Sequence, residues 1–294
     1  MTPLHADLVS PEGTPPPEAA WRRAMRNNVA VVLAVFVLCT IVLGAVVAPY
    51  LGTVDPTAID PGARLRRISG AHWLGTDAFG RDVYSRVFFG ARVSLVIGLG
   101  AALLSVTLGL AIGATAGYFR AADSAIMRVM DGLMAIPGIL LAIALVALSG
   151  ASIATVIVAI SIPEIPRVVR LVRSVVLTIR TEPYVEAAIS LGTTPLTLLL
   201  RHIVPNAIPP VIVQGTFIFA SAMLTEASMS FLGIGLPPEI PSWGNIMAEG
   251  RIYFQMLPGL ILYAGLCLTL TVLSVNVLGD VMRDFLDPRL GQRL

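Results

Sequence analysis

The sequence predicts an all-α, polytopic membrane protein: six transmembrane helices, with a bent pair of short helices standing outside the bilayer. Three observations carry that expectation. The chain is 56% hydrophobic and 13% charged, with a mean hydropathy of +0.83, whereas about one residue in four is charged in a soluble domain. Its apolar residues fall in long charge-free runs, and a helix needs roughly 20 of them to cross. Its arginines collect between particular runs, which orients the chain by the positive-inside rule.

Residues 1–28 hold Pro11, Pro15, Pro16 and Pro17 among polar residues, then Arg22, Arg23 and Arg26. That composition predicts a disordered cytoplasmic tail ending in a basic anchor. Val29 to Ala48 (29–48) carries no charge. It is too long, and starts too late, for the apolar core of a signal peptide, so it should remain as the first span.

Span counting makes residues 49–91 an extracytoplasmic loop. Thr76, Asp77 and Gly80 have turn chemistry there, and Asp82 is placed to cap the helix that runs into the membrane. Arg64, Arg66, Arg67, Arg81 and Arg86 sit in the same segment, against the positive-inside rule. Thr76, Asp77, Arg81 and Asp82 are therefore either a structured turn or part of an outer gate or of a seat for another protein.

Residues 92–281 should form a five-helix core. Val93 to Phe119 is glycine-rich, with Gly98, Gly100, Gly109 and Gly113, which favours close helix packing. Gly132 to Pro163 carries no charge and is too long for one crossing, so it reads as a hairpin turning at Ser149-Gly150-Ala151-Ser152. The third span is expected at Ile126–Leu148 and the fourth at Ile153–Val172, bent by Pro163 and Pro166. A fifth follows at Ile208–Ser228, then an outer loop to Gln255, and a sixth at Met256–Gly279. Asp280, Arg283 and Asp284 mark the inner surface, and 282–294 is a cytoplasmic tail.

Between the fourth and fifth spans lies Glu182 to Pro205 (182–205), EPYVEAAISLGTTPLTLLLRHIVP. Pro183 suits a first helical turn and Gly192 the left-handed position that ends a helix. Thr194 and Pro195 start a second helix, which Pro205 should stop. Tyr184, Ala188 and Leu191 share one face, and Ala187 and Ala188 leave room for close approach. Arg167, Arg170, Arg173, Arg180 and Arg201 flank the stretch and place it in the cytoplasm.

Several chemistries are excluded. All 20 basic residues are Arg; without a Lys there is no ordinary phosphate-binding P-loop, so any ATP must be bound by another subunit. A net charge of +2 gives no footprint for nucleic acid. His5, His72 and His202 lie in separate segments, so neither a metal cluster nor a catalytic Ser-His pair is assembled, and catalysis is not expected. Cys39 and Cys267 each sit in an apolar run as small hydrophobes. Glu226, near the outer end of the fifth span, either bonds the following loop or contacts substrate or gate. Glu164 sits beside two prolines near Arg167, and Asp131 can pair with Arg128 one helical turn away. No pair of carboxylates recurs at matching depth in two halves, which counts against a proton-coupled carrier working alone.

Glu186-Ala187-Ala188, Gly192 and Val204-Pro205 resemble the coupling loop of ABC importer permeases. His202 and Val204 depart mildly from that pattern. HWLGTDAFGRDVYSRVFFGARVSL (72–95), AIMRVMDGLMAIPGILL (125–141), TEASMSFLGIGLPPEIPSWG (225–244) and NVLGDVMRDFLDPR (276–289) are similar, in the same order, to segments of the dipeptide/oligopeptide/nickel permease family. The resemblance implies a type I importer permease in the bacterial inner membrane. It implies a second permease subunit, one or two ATPase subunits carrying ATP and Mg, and an extracytoplasmic substrate-binding protein. Tyr184, Glu186, Ala187, Ala188, Leu191, Gly192 and Pro205 would then meet the ATPase. Peptides are the implied substrate, with nickel, glutathione, opines or haem as alternatives.

Overall fold

The computed structural model describes residues 29–286; the expected tail at 1–28, with Arg22, Arg23 and Arg26, and residues 287–294 lie outside them. Within that range the chain is helix joined by turns, and an isolated bridge from Thr76 to Asp82 is the sole β pairing among the described residues.

α1 (Val29–Val47) is uncharged and leaves Leu33, Phe36 and Leu43 exposed while burying Val31, Ala34, Gly44 and Ala45. It is a rim helix, packed on one side only. α2 (Val83–Tyr118) starts at the expected cap, where the Asp82 carboxylate accepts from the Ser85 N–H. Because the loop buries Val83, Ser85, Arg86 and Val87, the helix begins well ahead of Val93. Its 36 residues reach about 54 Å at 1.5 Å each, far beyond the ~30 Å hydrocarbon core. So α2 projects into the loop layer.

The glycines of α2 set how closely it is packed. A Cβ at Gly113 would stand 2.8 Å from both the Val169 carbonyl and Val172, and one at Gly117 would stand 2.7 Å from Val176. Their partner is α5 (Ile153–Ile179), which runs unbroken past Pro163 and Pro166 between α2 and α4. Its start is a capping box made by Ser152 and Thr155, after Gly150 turns the chain at φ +81°.

The expected third span is broken. α3 (Arg120–Met134) and α4 (Gly138–Ser149) meet at 87°. Pro137 explains the break: it cannot donate to a helical carbonyl and pushes Ile136 out of the helical region. α4 has 12 residues, about 18 Å, only part of a crossing. Asp131 also pairs differently from expectation. It meets Arg170 of α5 at 2.6 Å, not Arg128, and Asp123 meets Arg173 at 2.5 and 2.6 Å. Both carboxylates thus face across to α5, tying α3 to it.

After α6 (Pro183–Ser190) comes α7 (Pro195–Leu198), which does not stop at Pro205. It passes through a π-helical turn, Leu199–Ile203, into α8 (Val204–Phe231). The widened turn accommodates the ring of Pro205, which a regular helix would set against the carbonyl one turn back. α9 (Trp243–Gly250) and α10 (Gly259–Leu286) complete the chain. Trp243 is buried, and its indole N–H donates to the Val87 carbonyl at 3.0 Å. Around it Val83, Met223, Ile246 and Leu260 join α2, α8, α9 and α10 in one core.

Among the described residues four helices, Val29–Tyr50, Val83–Tyr118, Pro195–Phe231 and Gly259–Phe285, are long and apolar enough to cross a membrane, and the bent pair is a fifth if its two halves count as one span. α5 has the length, but Glu164, Arg167, Arg170 and Arg173 remove it from the apolar class.

Candidate functional sites at the two ends of the bundle

At one end stands α6. Pro183 opens it and Glu182 is its extended N-cap residue. Its end is a Schellman motif: the Thr193 N–H donates to Ala188 at 3.1 Å, the Gly192 N–H donates to Ile189 at 2.9 Å, and Gly192 sits at φ +82°. Val185 is fully buried among Val172, Val176, Leu198 and Ile203. Ala188 is half-buried against the same cluster, at the helix edge between exposed Tyr184 and buried Val185. Tyr184, Glu186, Ala187 and Leu191 are exposed, Leu191 by 87%. Asn206 donates to the Tyr184 hydroxyl at 3.3 Å and to the His202 carbonyl at 2.6 Å, bracing α6 on α8. Pro205 is exposed in the first turn of α8. The arrangement is a short helix held by one buried valine and presenting its outer face. A cleft of about 630 Å³ opens beside it, lined by Ser174, Thr178, Glu182, Tyr184 and Asn206 among others.

At the opposite end the loop before α2 folds back on α9. Thr76, Asp77, Arg81 and Asp82 are all buried. Thr76 donates to the Ala63 carbonyl and accepts from the Arg66 N–H. Asp77 accepts from the Phe79 and Arg81 N–H groups at 2.8 and 3.0 Å and from Arg81 Nε at 2.7 Å. Arg81 Nη2 reaches both oxygens of Glu249 at 2.7 Å, and its Nη1 reaches the Pro238 carbonyl. Arg86 Nη2 adds a contact to Glu249 at 3.0 Å. Burial pushes the Glu249 carboxyl above its ordinary value, against the pull of Arg86 and Arg81. Two cations and two anions compensate one another there, which buried charges require. Asp82 accepts from Ser85 and meets His72 Nδ1 at 3.0 Å. Glu226, also buried, accepts from Ser230 at 2.9 Å and from Ser242, the cap of α9, at 2.8 Å. Its carboxylate thus bonds the following loop, one of the two alternatives the sequence leaves open.

Glu249 escapes a reading of the sequence, and so does the pairing of Arg86, noted there only as one of five loop arginines. Glu249 has no local signal, because its partners lie more than 160 positions away; Arg86, one charge in an otherwise apolar stretch, could have been flagged as needing a partner. Among the described residues no group of three His, Cys, Asp or Glu side chains could hold a metal ion.

A bundle of long apolar helices, capped at one end by a charge-locked loop and presenting a short helix at the other, is the body of a multi-pass membrane transport subunit. The chain belongs to the binding-protein-dependent transport system inner membrane component family, whose sequence model matches residues 105–292. Residues 18–67 match the N-terminal transmembrane domain of oligopeptide transport permease C. It is 51% identical to a "probable peptide ABC transporter permease protein" of Sinorhizobium fredii, over 92% of this chain and 93% of that one. It is 37% identical to a dipeptide transport system permease of Alkalihalophilus pseudofirmus, over 96% and 97%. It is 42% identical to a glutathione transport system permease of Pectobacterium atrosepticum, over 92% and 90%. The chain is thus an inner-membrane transport permease subunit and not an enzyme.

Proposed function

We propose that this chain is one of two permease subunits of an ATP-driven importer of short peptides. It crosses the inner membrane six times, with α5 as the charged sixth span, and both termini and α6 lie on the cytoplasmic side. The observation that carries the reading is α6, a helix that keeps one valine in the bundle and turns Tyr184, Glu186, Ala187 and Leu191 outward. An exposed leucine and tyrosine beside a small alanine form the kind of surface a partner's groove covers. The partner is an ATPase that binds ATP and Mg, since this chain has no Lys for the phosphates. ATP-driven closure of two such subunits shifts α6 and tips the spans between inward- and outward-facing states. A second permease completes the path, and an extracytoplasmic binding protein delivers the peptide. The names of the relatives support peptides, glutathione being itself a tripeptide.

The test is copurification from mild detergent, comparing wild type with a Glu186→Arg, Ala187→Trp variant. A P-loop ATPase recovered with the wild type and lost from the variant is the expected result. Equal recovery with both places the contact elsewhere. If none is recovered with either, the chain works without ATP, as a secondary carrier would.

A further inference from the structure

α5 carries charges where a lipid-facing helix would not. Counting from its cap at Ser152, Glu164 and Arg167 stand about 18 and 22 Å along the helix at 1.5 Å per residue, inside a ~30 Å hydrocarbon core. Arg167 Nη1 donates to both oxygens of Glu164 at 3.0 Å. Glu164 lies one turn toward the Ser152 end, so the guanidinium reaches back to mid-depth and not outward to the near interface, the reverse of snorkelling. Glu164 is largely buried, yet 58% of the Arg167 side chain is exposed. Ser174 and Thr178 follow on the same face, at helical spacings of seven and eleven from Arg167, and both are exposed. Both also line the cleft beside α6. At about 33 and 39 Å from Ser152 they stand past the core, at the mouth of that cleft. The exposed Arg170 at about 27 Å, beside the half-buried Leu171, carries the polar surface from there to the Glu164–Arg167 pair. The surfaces of α1 and α2 that suit lipid are, by contrast, apolar: Leu33, Phe36, Val96, Leu99 and Leu103.

We propose that Arg167 lines the inner half of a water-filled substrate path whose mouth is the cleft at Ser174 and Thr178, and that Arg167, held by Glu164, is its binding station for the α-carboxylate of a peptide. This rests on the importer reading above. A planar guanidinium matches a carboxylate in two parallel hydrogen bonds, and among the described residues the ion pair engages Nη1 alone. The exposed remainder can turn to a passing anion without releasing Glu164.

Two measurements on the complete transporter, reconstituted with its binding protein, test this. First, Arg167→Cys, inside the core, and Ser174→Cys, at the mouth, are made in a Cys39→Ser, Cys267→Ala background and exposed from the α6 side to a sulfonated, membrane-impermeant methanethiosulfonate. Both should react, whereas Val158→Cys, on the exposed apolar part of α5, should not. Second, ATP-dependent uptake of trialanine is compared with that of its C-terminal amide. Arg167→Gln should lower the acid-to-amide ratio about tenfold, the scale of one lost charge-assisted hydrogen bond, and Arg167→Lys should restore part of it. An Arg167→Cys as inert as Val158→Cys overturns the path, and an unchanged ratio in Arg167→Gln overturns the carboxylate station. An intact complex with ATP-driven uptake in either case leaves the importer reading standing; failure to recover an ATPase removes that reading instead.

Discussion

Arg81 grips Glu249 across 168 positions of sequence, one nitrogen 2.7 Å from each carboxylate oxygen. With Asp77 and Arg86 the pair forms a buried, charge-balanced knot between the loop before α2 and helix α9. Removing Glu249 leaves Asp77 alone to balance two buried guanidinium groups. Glu249→Gln should therefore cost about 3–5 kcal/mol, seen as a lowered melting temperature in detergent. An Arg81→Met, Glu249→Met double variant should recover part of that loss. A single variant as stable as wild type would show that the knot contributes nothing.

Gly113 is a strict test of the α2–α5 contact, because its nearest neighbours include a backbone carbonyl that cannot rotate away. Gly113→Leu should lower stability by about 1–3 kcal/mol or more through overpacking. Gly132→Ala in α3 meets nothing within 4 Å, and should raise stability by about 0.5–1 kcal/mol. Paired melts of the two variants compare a packing glycine with a free one.

Gly192 holds φ +82° with open space around it, so only its backbone conformation resists a side chain. Gly192→Val should cost about 1–2 kcal/mol locally and misdirect α6, while Gly192→Asn, which tolerates that region, should be nearly neutral. Binding of the copurified ATPase should follow the same order. Equal loss in both variants would point to the outer face of the turn and not to its geometry.

Glu226 accepts two hydroxyl bonds through one oxygen. Glu226→Gln keeps an acceptor there and should change stability by no more than about 1 kcal/mol, whereas Glu226→Leu strands the Ser230 and Ser242 hydroxyls at about 1–3 kcal/mol each. Proteolysis of the segment between α8 and α9 reads the loosening directly. If Glu226→Gln folds normally but halts transport, the carboxylate has a role beyond holding that loop.

Much of this fold was legible because it is governed by local rules. Charge-free runs marked α1, α8 and α10, Asp82 marked the start of α2, and Gly192 marked the end of α6. What escaped was governed by competition between local and distant terms. Pro205 reads as a stop, yet a wide turn absorbs it and packing carries the helix onward. Pro137 reads as one residue of a span, yet it breaks that span at 87°. Asp131 has an arginine one turn away and still binds one on another helix. Tyr184, Ala188 and Leu191 share a side by spacing, and Ala188, at the edge of that side nearer Val185, is half-buried while the other two are exposed. The candidate site at α6 was readable because a surface helix shows its chemistry in its own residues. Glu249 was not, since a long-range ion pair leaves no trace beside either partner.

The π turn at Leu199–Ile203 has a mechanical consequence. Because it carries the chain past Pro205 without a joint, Pro195–Phe231 is one 37-residue rod, about 55 Å long. One end abuts the turn that follows α6, and the other holds Glu226, latched to the α9 cap through Ser242. A displacement applied at Pro195 thus passes along one continuous helix, through Pro209 and Pro210, before it reaches the far layer. If the ATPase proposed above moves α6, this rod carries that stroke across the bundle to the cap of α9.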